Sequence, residues 1–396
     1  MVTEKRAAEK RAAENALLEK TTGVIAERIC DRYAQERNFS GVCMVKRAGS
    51  SVFERAYGYA SRPFRIPNRI DTRFDTASIT KIFTAAAVLL LVEQGKLCLD
   101  DKIVDLIDLS GTKIPADVTI EQLLNHTSGI ADDAEEEAGE EYSALFVDSP
   151  NYALRECRDF LKNFAWKEPN FPAGTDVRYC NCSFILLGLA IEAVTGEAYR
   201  DYVVRNIFEQ AGMSSTGFFS MDGVAEHVAE GYKSVLDEAG NIIDYRKNIY
   251  SYPPVGTPDG GAYTTAGDLN RFLEAVKDGT LFKQGYGTAL LSPHCPFIQN
   301  KELEKIPGLR KTNGYAFEFL LLEGYDTPFC IYKDGCNDGV SAIFCYYPPQ
   351  ELTLTVLSNQ ECNVWKMKRE IQLDWYQAGV FGDSGPINRN RSGDSI

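Results

Sequence analysis

The chain has 396 residues, 44% of them apolar and 25% charged, an ordinary balance for a folded protein of two domains or one large interrupted domain. A formal net charge of -14 without a basic patch excludes nucleic acid and anionic membranes as partners, and the longest apolar helical stretch, Ala85 to Val92, falls far short of the roughly 18 residues of a membrane span. Eleven cysteines, an odd number at irregular spacing in a chain too large to need staples, read as reduced thiols.

The first twenty residues lack the apolar core of a secretory signal and carry Glu with Lys or Arg at helical spacing. Residues 3–37 are therefore predicted as one helix, and the expected location is cytoplasmic, with export after loss of a leader as the alternative. GVCMVKRAG and SVFERAYGYA alternate as a hairpin with its turn near Ala48 to Ser50. From Ile82 to about Gly279 the pattern is mainly helical, including TIEQLLNH, YALRECRDFLKNF, CSFILLGLAIEAVTG and DLNRFLEAVKDG. After Asn313 the period shortens to four strand candidates, YAFEFLLLEG, PFCIYKDG, VSAIFCYYP and LTLTVLSN, followed by a helix around VWKMKREIQLDWYQAGVF.

Strands at both ends with helices between them predict an α+β fold: one antiparallel sheet assembled from both chain ends, flanked by terminal helices, with a helical domain inserted. The expected boundaries are 1–75 and 280–396 for the sheet domain, with a flexible tail over 383–396, and 76–279 for the inserted domain. Cys330 and Cys345 fall on neighbouring strand candidates, where a bridge is open if the register allows it.

Two S-x-x-K pairs occur, and the pattern alone says little. Ser110 and Lys113 lie in LSGTKIP, a turn that fixes no distance between them. Ser78 and Lys81 in DTASITKIF open a run that reads as a buried helix, where residues three apart share a face. Free backbone N–H groups in its first turn favour negative charge on a carbonyl oxygen held beside Ser78. Burial penalises the Lys81 ammonium, which would let a neutral amine take the serine proton. The plainer reading is a serine cap and a lysine snorkelling from a core helix.

Further along, RYCNCSFILL places Tyr179 and Asn181 just before another apolar helix, and IYKDGCNDG places Lys333 and Gly335 on a strand. The order S-x-x-K, Y-x-N, K-x-G, together with LDDKIVDLI, VTIEQLLNHTSGI, FPAGTDVRYCN, NIFEQAGMSSTGF, GGAYTTAGDLNRF and LTLTVLSN, resembles the serine β-lactamase and penicillin-binding protein family over about residues 39 to 360. The likeness is to the branch holding class C β-lactamases, D-alanyl-D-alanine carboxypeptidases, D-amino-acid amidases and esterases. It implies Ser78 as acylated nucleophile, Lys81 as its proton partner, Tyr179 as a phenol kept acidic by two ammonium groups, and Lys333 as a support of that charge. It further implies Asn181 on the substrate amide, and the N–H groups of Ser78 and Cys336 as an oxyanion hole, with Gly335 keeping the strand edge clear.

The rival chemistries lack residues. There is no G-x-S-x-G and no H-E-x-x-H, the three histidines are His126, His227 and His294, and Asn181 interrupts Cys180-x-Cys182. The resemblance makes His126 in NHTSG part of a structural turn near the site, and Cys180 reads as a small buried filler. One departure stands out: Asp334 occupies the place where the family carries a hydroxyl that binds a substrate carboxylate. A carboxylate there predicts a neutral or cationic substrate end, a preference that the acidic run from Ala131 to Glu141 could reinforce if it is more than a solvated loop. The expected function is a cofactor-free serine hydrolase acting on an ester or amide such as a small peptide, a D-amino-acid amide or a carboxylic ester. A β-lactamase or penicillin-binding carboxypeptidase is the alternative within the family, and a non-catalytic sensor or assembly protein the alternative of another class. Oligomerisation is left open.

Overall fold

In the computed structural model the described residues are 2–135, 138–298, 306, 308–322 and 327–382. The tail over 383–396, expected to be flexible, lies outside them. The main helices are α1 (Val2–Arg37), α2 (Lys81–Glu93), α3 (Cys182–Thr195), α4 (Ala266–Lys277) and α5 (Val364–Gln377). The main strands are β1 (Gly41–Arg47), β2 (Ser50–Tyr57), β3 (Tyr232–Leu236), β4 (Ile242–Lys247), β5 (Leu309–Asn313), β6 (Glu318–Leu322), β7 (Cys330–Asn337), β8 (Val340–Tyr347) and β9 (Leu352–Ser358).

Seven of these strands form one antiparallel sheet in the order β2-β1-β9-β8-β7-β6-β5, so both chain ends build it. Period-two alternation decides which residues meet which layer. Val42 and Met44 of β1 face the inserted helices, while Cys43 and Val45 face α1 and α5. The outer layer is tied down by the Trp375 indole N–H, which donates to the Thr22 carbonyl at 3.0 Å, and by the Arg28–Asp374 and Arg32–Glu370 pairs. Gly23 lets α1 ride close on β2, since a Cβ there would stand 2.5 Å from the Val52 carbonyl oxygen.

On the inner face α2 is buried on almost every side, which explains its unbroken apolar sequence. Phe83 meets Phe208 and Phe272 edge-on at 5.0 and 5.1 Å, pinning α2 against α4 and the helical turn Val204–Phe208. Among the described residues no single helix is long and apolar enough to cross a membrane.

Several elements differ from expectation. YALRECRDFLKNF is broken into the turns Asn151–Ala153 and Cys157–Phe160 and a short helix Leu161–Phe164, because Glu156 and Asp159 form a capping box that starts a helix afresh. The hairpin β3–β4 sits within the region read as helical. β5 precedes the first expected late strand. Cys330 and Cys345 form no bridge: the register sets Cys345 opposite Tyr332, and all eleven cysteines are free thiols.

Candidate active site

Ser78 lies in a 3-10 turn, Ala77–Thr80, that runs directly into α2 at Lys81. The turn begins on a strained residue, for Ala77 has φ +43°. Its geometry is enforced from several sides: Asp75 accepts the Ala77 N–H at 2.7 Å, Thr80 donates to the Ala77 carbonyl at 2.7 Å, and Thr76 donates to the Ala262 carbonyl at 2.8 Å. The half-buried hydroxyl of Ser78 contacts Lys81 Nζ at 3.1 Å and the Tyr179 hydroxyl at 2.7 Å.

Lys81 is fully buried. Its Nζ contacts Ser78 Oγ and donates to Asn181 Oδ1 at 2.7 Å and to the Asp259 carbonyl at 2.6 Å. The Asn181 and Asp259 oxygens can only accept, whereas the Ser78 hydroxyl can either take a third ammonium proton or give its own to a neutral Lys81 amine. The Tyr179 ring lies between two cations, with Lys81 Nζ 5.0 Å and Lys333 Nζ 4.8 Å from its centroid. That setting favours negative charge on the phenolic oxygen.

Tyr179 and Asn181 are placed by the start of α3. Asparagine commonly caps its own helix, but Asn181 gives its side-chain oxygen to Lys81. Asp132 supplies the cap instead, its two oxygens accepting the N–H groups of Asn181 and Cys182 at 2.9 Å each. Burial pushes the Asp132 carboxyl up, and these backbone donors offset only part of that. The acidic run is therefore not solvated where it begins, since Asp132 and Asp133 are both buried. Asp132, Asp133 and Cys182 are close enough to touch one ion, but the hydrogen bonds of Asp132 assign it to the helix end.

His126 packs against Tyr179 with centroids 4.7 Å apart. Burial first, and then the Lys333 and Lys81 ammoniums, hold its imidazole well below the usual range, so it is neutral. Its Nδ1 accepts the Cys180 N–H at 3.2 Å, which puts the proton on Nε2. Cys180 is buried, with its sulfur accepting from the Ser183 N–H.

The last contribution comes from β7. Its partner β6 begins at Glu318, opposite Tyr332, so the stretch from Lys333 to Asn337 runs past it along the serine turn. Gly335 is required there by the protein itself: a Cβ would stand 2.1 Å from the Thr76 carbonyl oxygen and 2.9 Å from Ser78 N. Lys333 is buried and donates to Glu318 at 3.1 Å; Glu318 also pairs with Lys311 and accepts from the Tyr332 hydroxyl at 2.9 Å. Burial alone would raise the Glu318 carboxyl, but the Lys333 and Lys311 ammoniums outweigh it and hold it well below the ordinary carboxylate range. Asp334 accepts the Trp365 indole N–H and lies 3.7 Å from Lys333 Nζ. Cys336 is exposed beside Ser78.

The structure thus brings Ser78, Lys81, Tyr179, Asn181, Lys333, Asp334, Gly335 and Cys336 to one place. Ser110 and Lys113 stay apart from it, exposed, with Lys113 paired to Glu168. Glu318, Lys311, Asp132 and the Asp259 carbonyl belong to the site and were not anticipated. A charged residue inside the apolar run YAFEFLLL was the one available hint of Glu318.

A family model described as Beta-lactamase matches residues 25–378. Penicillin-binding protein 4* of Bacillus subtilis (strain 168) is 28% identical over 345 residues, covering 83% of this chain and 69% of that protein. Esterase EstB of Burkholderia gladioli is 32% identical over 271 residues, covering 63% of this chain and 68% of its own. The crystal structure of a penicillin binding protein from Bacillus halodurans superposes with a TM-score of 0.78 at 33% identity, covering 88% of this chain and 99% of that one.

Proposed function

The chain belongs to the Beta-lactamase family, and from that premise we propose that it is a serine hydrolase that cleaves an ester or amide through an acyl-enzyme on Ser78. The observation that carries this reading is the contact of the Ser78 hydroxyl with both Lys81 Nζ at 3.1 Å and the Tyr179 oxygen at 2.7 Å, two groups able to exchange its proton. A serine hydroxyl is a weak nucleophile near neutral pH unless a base takes its proton. We take that base to be Tyr179 as phenolate, its ring centroid 5.0 Å from Lys81 Nζ and 4.8 Å from Lys333 Nζ.

In this mechanism Ser78 Oγ bonds to the substrate carbonyl carbon while its proton passes to the Tyr179 oxygen. The N–H groups of Ser78 and Cys336 stabilise the developing oxyanion. Tyr179 then returns the proton to the departing oxygen or nitrogen as the bond to carbon breaks. A water attacks the acyl-enzyme by the same exchange and frees the acid. Lys333 supports the phenolate charge, and Asn181 borders the acyl group.

The preferred substrate end beside Asp334 is neutral. That carboxylate is engaged by Trp365 and lies near Lys333, and Lys368 and Arg369 border the same groove, so a cationic end meets repulsion there as well. Penicillin binding or β-lactam turnover is the second reading, supported by the likeness to the two penicillin-binding proteins.

Intact-mass analysis of the full chain after treatment with a fluorophosphonate, and separately with penicillin, tests both readings. A fluorophosphonate adduct on the native chain and none on Ser78→Ala supports the hydrolase. An adduct that persists in Ser78→Ala overturns the assignment of the nucleophile. A stable penicillin adduct at Ser78 favours the second reading.

A further inference from the structure

The backbone amides on either side of Tyr179 are both held by one residue, His126. The Arg178 N–H donates to the His126 carbonyl at 3.0 Å, and the Cys180 N–H donates to its Nδ1 at 3.2 Å. The imidazole also lies against the Tyr179 ring, with centroids 4.7 Å apart, and against Phe184 at 5.4 Å. Phe184 is fully buried on α3, so the imidazole has a fixed wall behind it. One side chain and its carbonyl therefore grip Tyr179 through the chain before it, the chain after it and its ring.

The turn that presents His126 is strained and braced. Its φ of +64° lies in the left-handed region, which side chains other than Asn, Asp and His seldom enter. Asn125 Oδ1 accepts the Thr127 N–H at 3.2 Å and the Thr127 hydroxyl at 2.7 Å, and the Gln122 carbonyl accepts the same N–H at 2.9 Å. The two contacts need an aromatic ring with an acceptor in its plane, and a neutral imidazole supplies both. Protonation would turn Nδ1 into a donor facing the Cys180 donor. The charged groups around the ring are the Lys333, Lys81 and Lys311 ammoniums and the Glu318 carboxylate, and burial together with the ammoniums keeps the ring uncharged. Its Nε2 has no hydrogen-bond partner among the described residues, so its link to the chemistry runs through Tyr179.

Building on the proposed hydrolase reading, we infer that His126 is the positioning residue of Tyr179: it holds the phenol between Lys81 and Lys333 and takes no part in the proton transfer itself. The groups that face the phenol are the Ser78 hydroxyl and the Lys81 and Lys333 ammoniums, with Glu318 paired to Lys333. A Tyr179 ring released from His126 can turn away from those ammoniums, and its phenolate then loses the setting that favours it.

The test is the pH profile of p-nitrophenyl acetate hydrolysis by the full-length native chain, His126→Asn and His126→Ala. Asparagine tolerates the left-handed backbone and keeps a side-chain oxygen for the Cys180 N–H, so His126→Asn removes the ring contact alone. The expected result for His126→Asn is a kcat at least tenfold lower at pH 7 with KM within threefold of native. The acid limb of kcat/KM should also move up by at least half a pH unit, because the phenolate is less favoured. His126→Ala, which loses the acceptor as well, should show a larger drop and the same direction of shift. A native kcat and acid limb in His126→Asn overturn this inference and leave the hydrolase reading standing. A lower kcat with an unmoved acid limb makes His126 a structural residue only and overturns it too. If the native chain turns over no ester and forms no fluorophosphonate adduct at Ser78, both readings fall together. Either variant decides the matter where the other fails to fold.

Discussion

Replacing Glu318 by Gln tests whether the charge arrangement beneath Tyr179 is held as the structure shows. Glu318 is buried, and both Lys333 and Lys311 pair with it, with Lys333 1% and Lys311 23% exposed. Removing one partner of a buried pair typically costs 3–5 kcal/mol, and the partial exposure of Lys311 places this case near the lower end, at about 3 kcal/mol at pH 7. The pH dependence has a definite sign. The carboxyl titrates lower in the folded chain than its unfolded value of 4.5, so its contribution is complete above that value and declines as pH falls. At pH 3 the folded carboxylate is still ionised while the unfolded one is mostly protonated. One and a half pH units at about 1.4 kcal/mol each remove about 2 kcal/mol of the difference between native and E318Q chains. Urea unfolding of both proteins at pH 7, 5 and 3 measures that difference directly, and acid effects common to both cancel. A gap that is below 1 kcal/mol at pH 7, or that stays constant down to pH 3, would refute the reasoning.

Tyr179→Phe should reduce kcat by about 10²- to 10⁴-fold, the range for losing a general acid–base group, with the thermal midpoint nearly unchanged; comparison of initial rates with thermal melts checks it. Gly335→Ala should abolish turnover and cost about 1–3 kcal/mol, because the new methyl meets the Thr76 backbone and separates β7 from the serine turn; retained activity in this variant would contradict the contact. Asp334→Thr should raise turnover of esters with an anionic leaving group about tenfold relative to neutral ones, which corresponds to removing about 1.4 kcal/mol of charge repulsion. A panel of anionic and neutral esters reads that ratio.

Where the sequence could be read, periodicity carried the reading. The two-residue alternation of GVCMVKR and VSAIFCYY put one set of side chains toward the inserted helices and the other toward α1 and α5, as observed. The spacing of Ser78 and Lys81 was visible because a short helical turn brings residues three apart together. What remained hidden depends on distance along the chain. Lys311 and Glu318 meet because β5 and β6 pair, and nothing local marks Lys311 as a partner of Lys333. Asp132 reaches α3 from a loop whose acidity suggested solvent. The partners of Lys81 were hidden for the same reason: its burial was foreseeable, but the acceptors at Asn181 and the Asp259 carbonyl come from remote segments.

The same remote contacts explain why the site needs its strained turn. If Ala77 relaxed to an ordinary helical φ, the Ser78 hydroxyl would swing relative to α2, and Lys81 would lose one of its three hydrogen-bond partners while buried. The cost of that loss, about 1–3 kcal/mol for an unsatisfied buried donor and more for a charged one, is comparable to the 1–2 kcal/mol of keeping a non-glycine residue left-handed. Gly335 adds a second constraint, since β7 approaches the turn only as closely as the Thr76 carbonyl permits. The hydrogen bonds of Lys81 and the contact at Gly335 therefore join those of Asp75, Thr76 and Thr80 in holding the strain in place and presenting the serine to Tyr179.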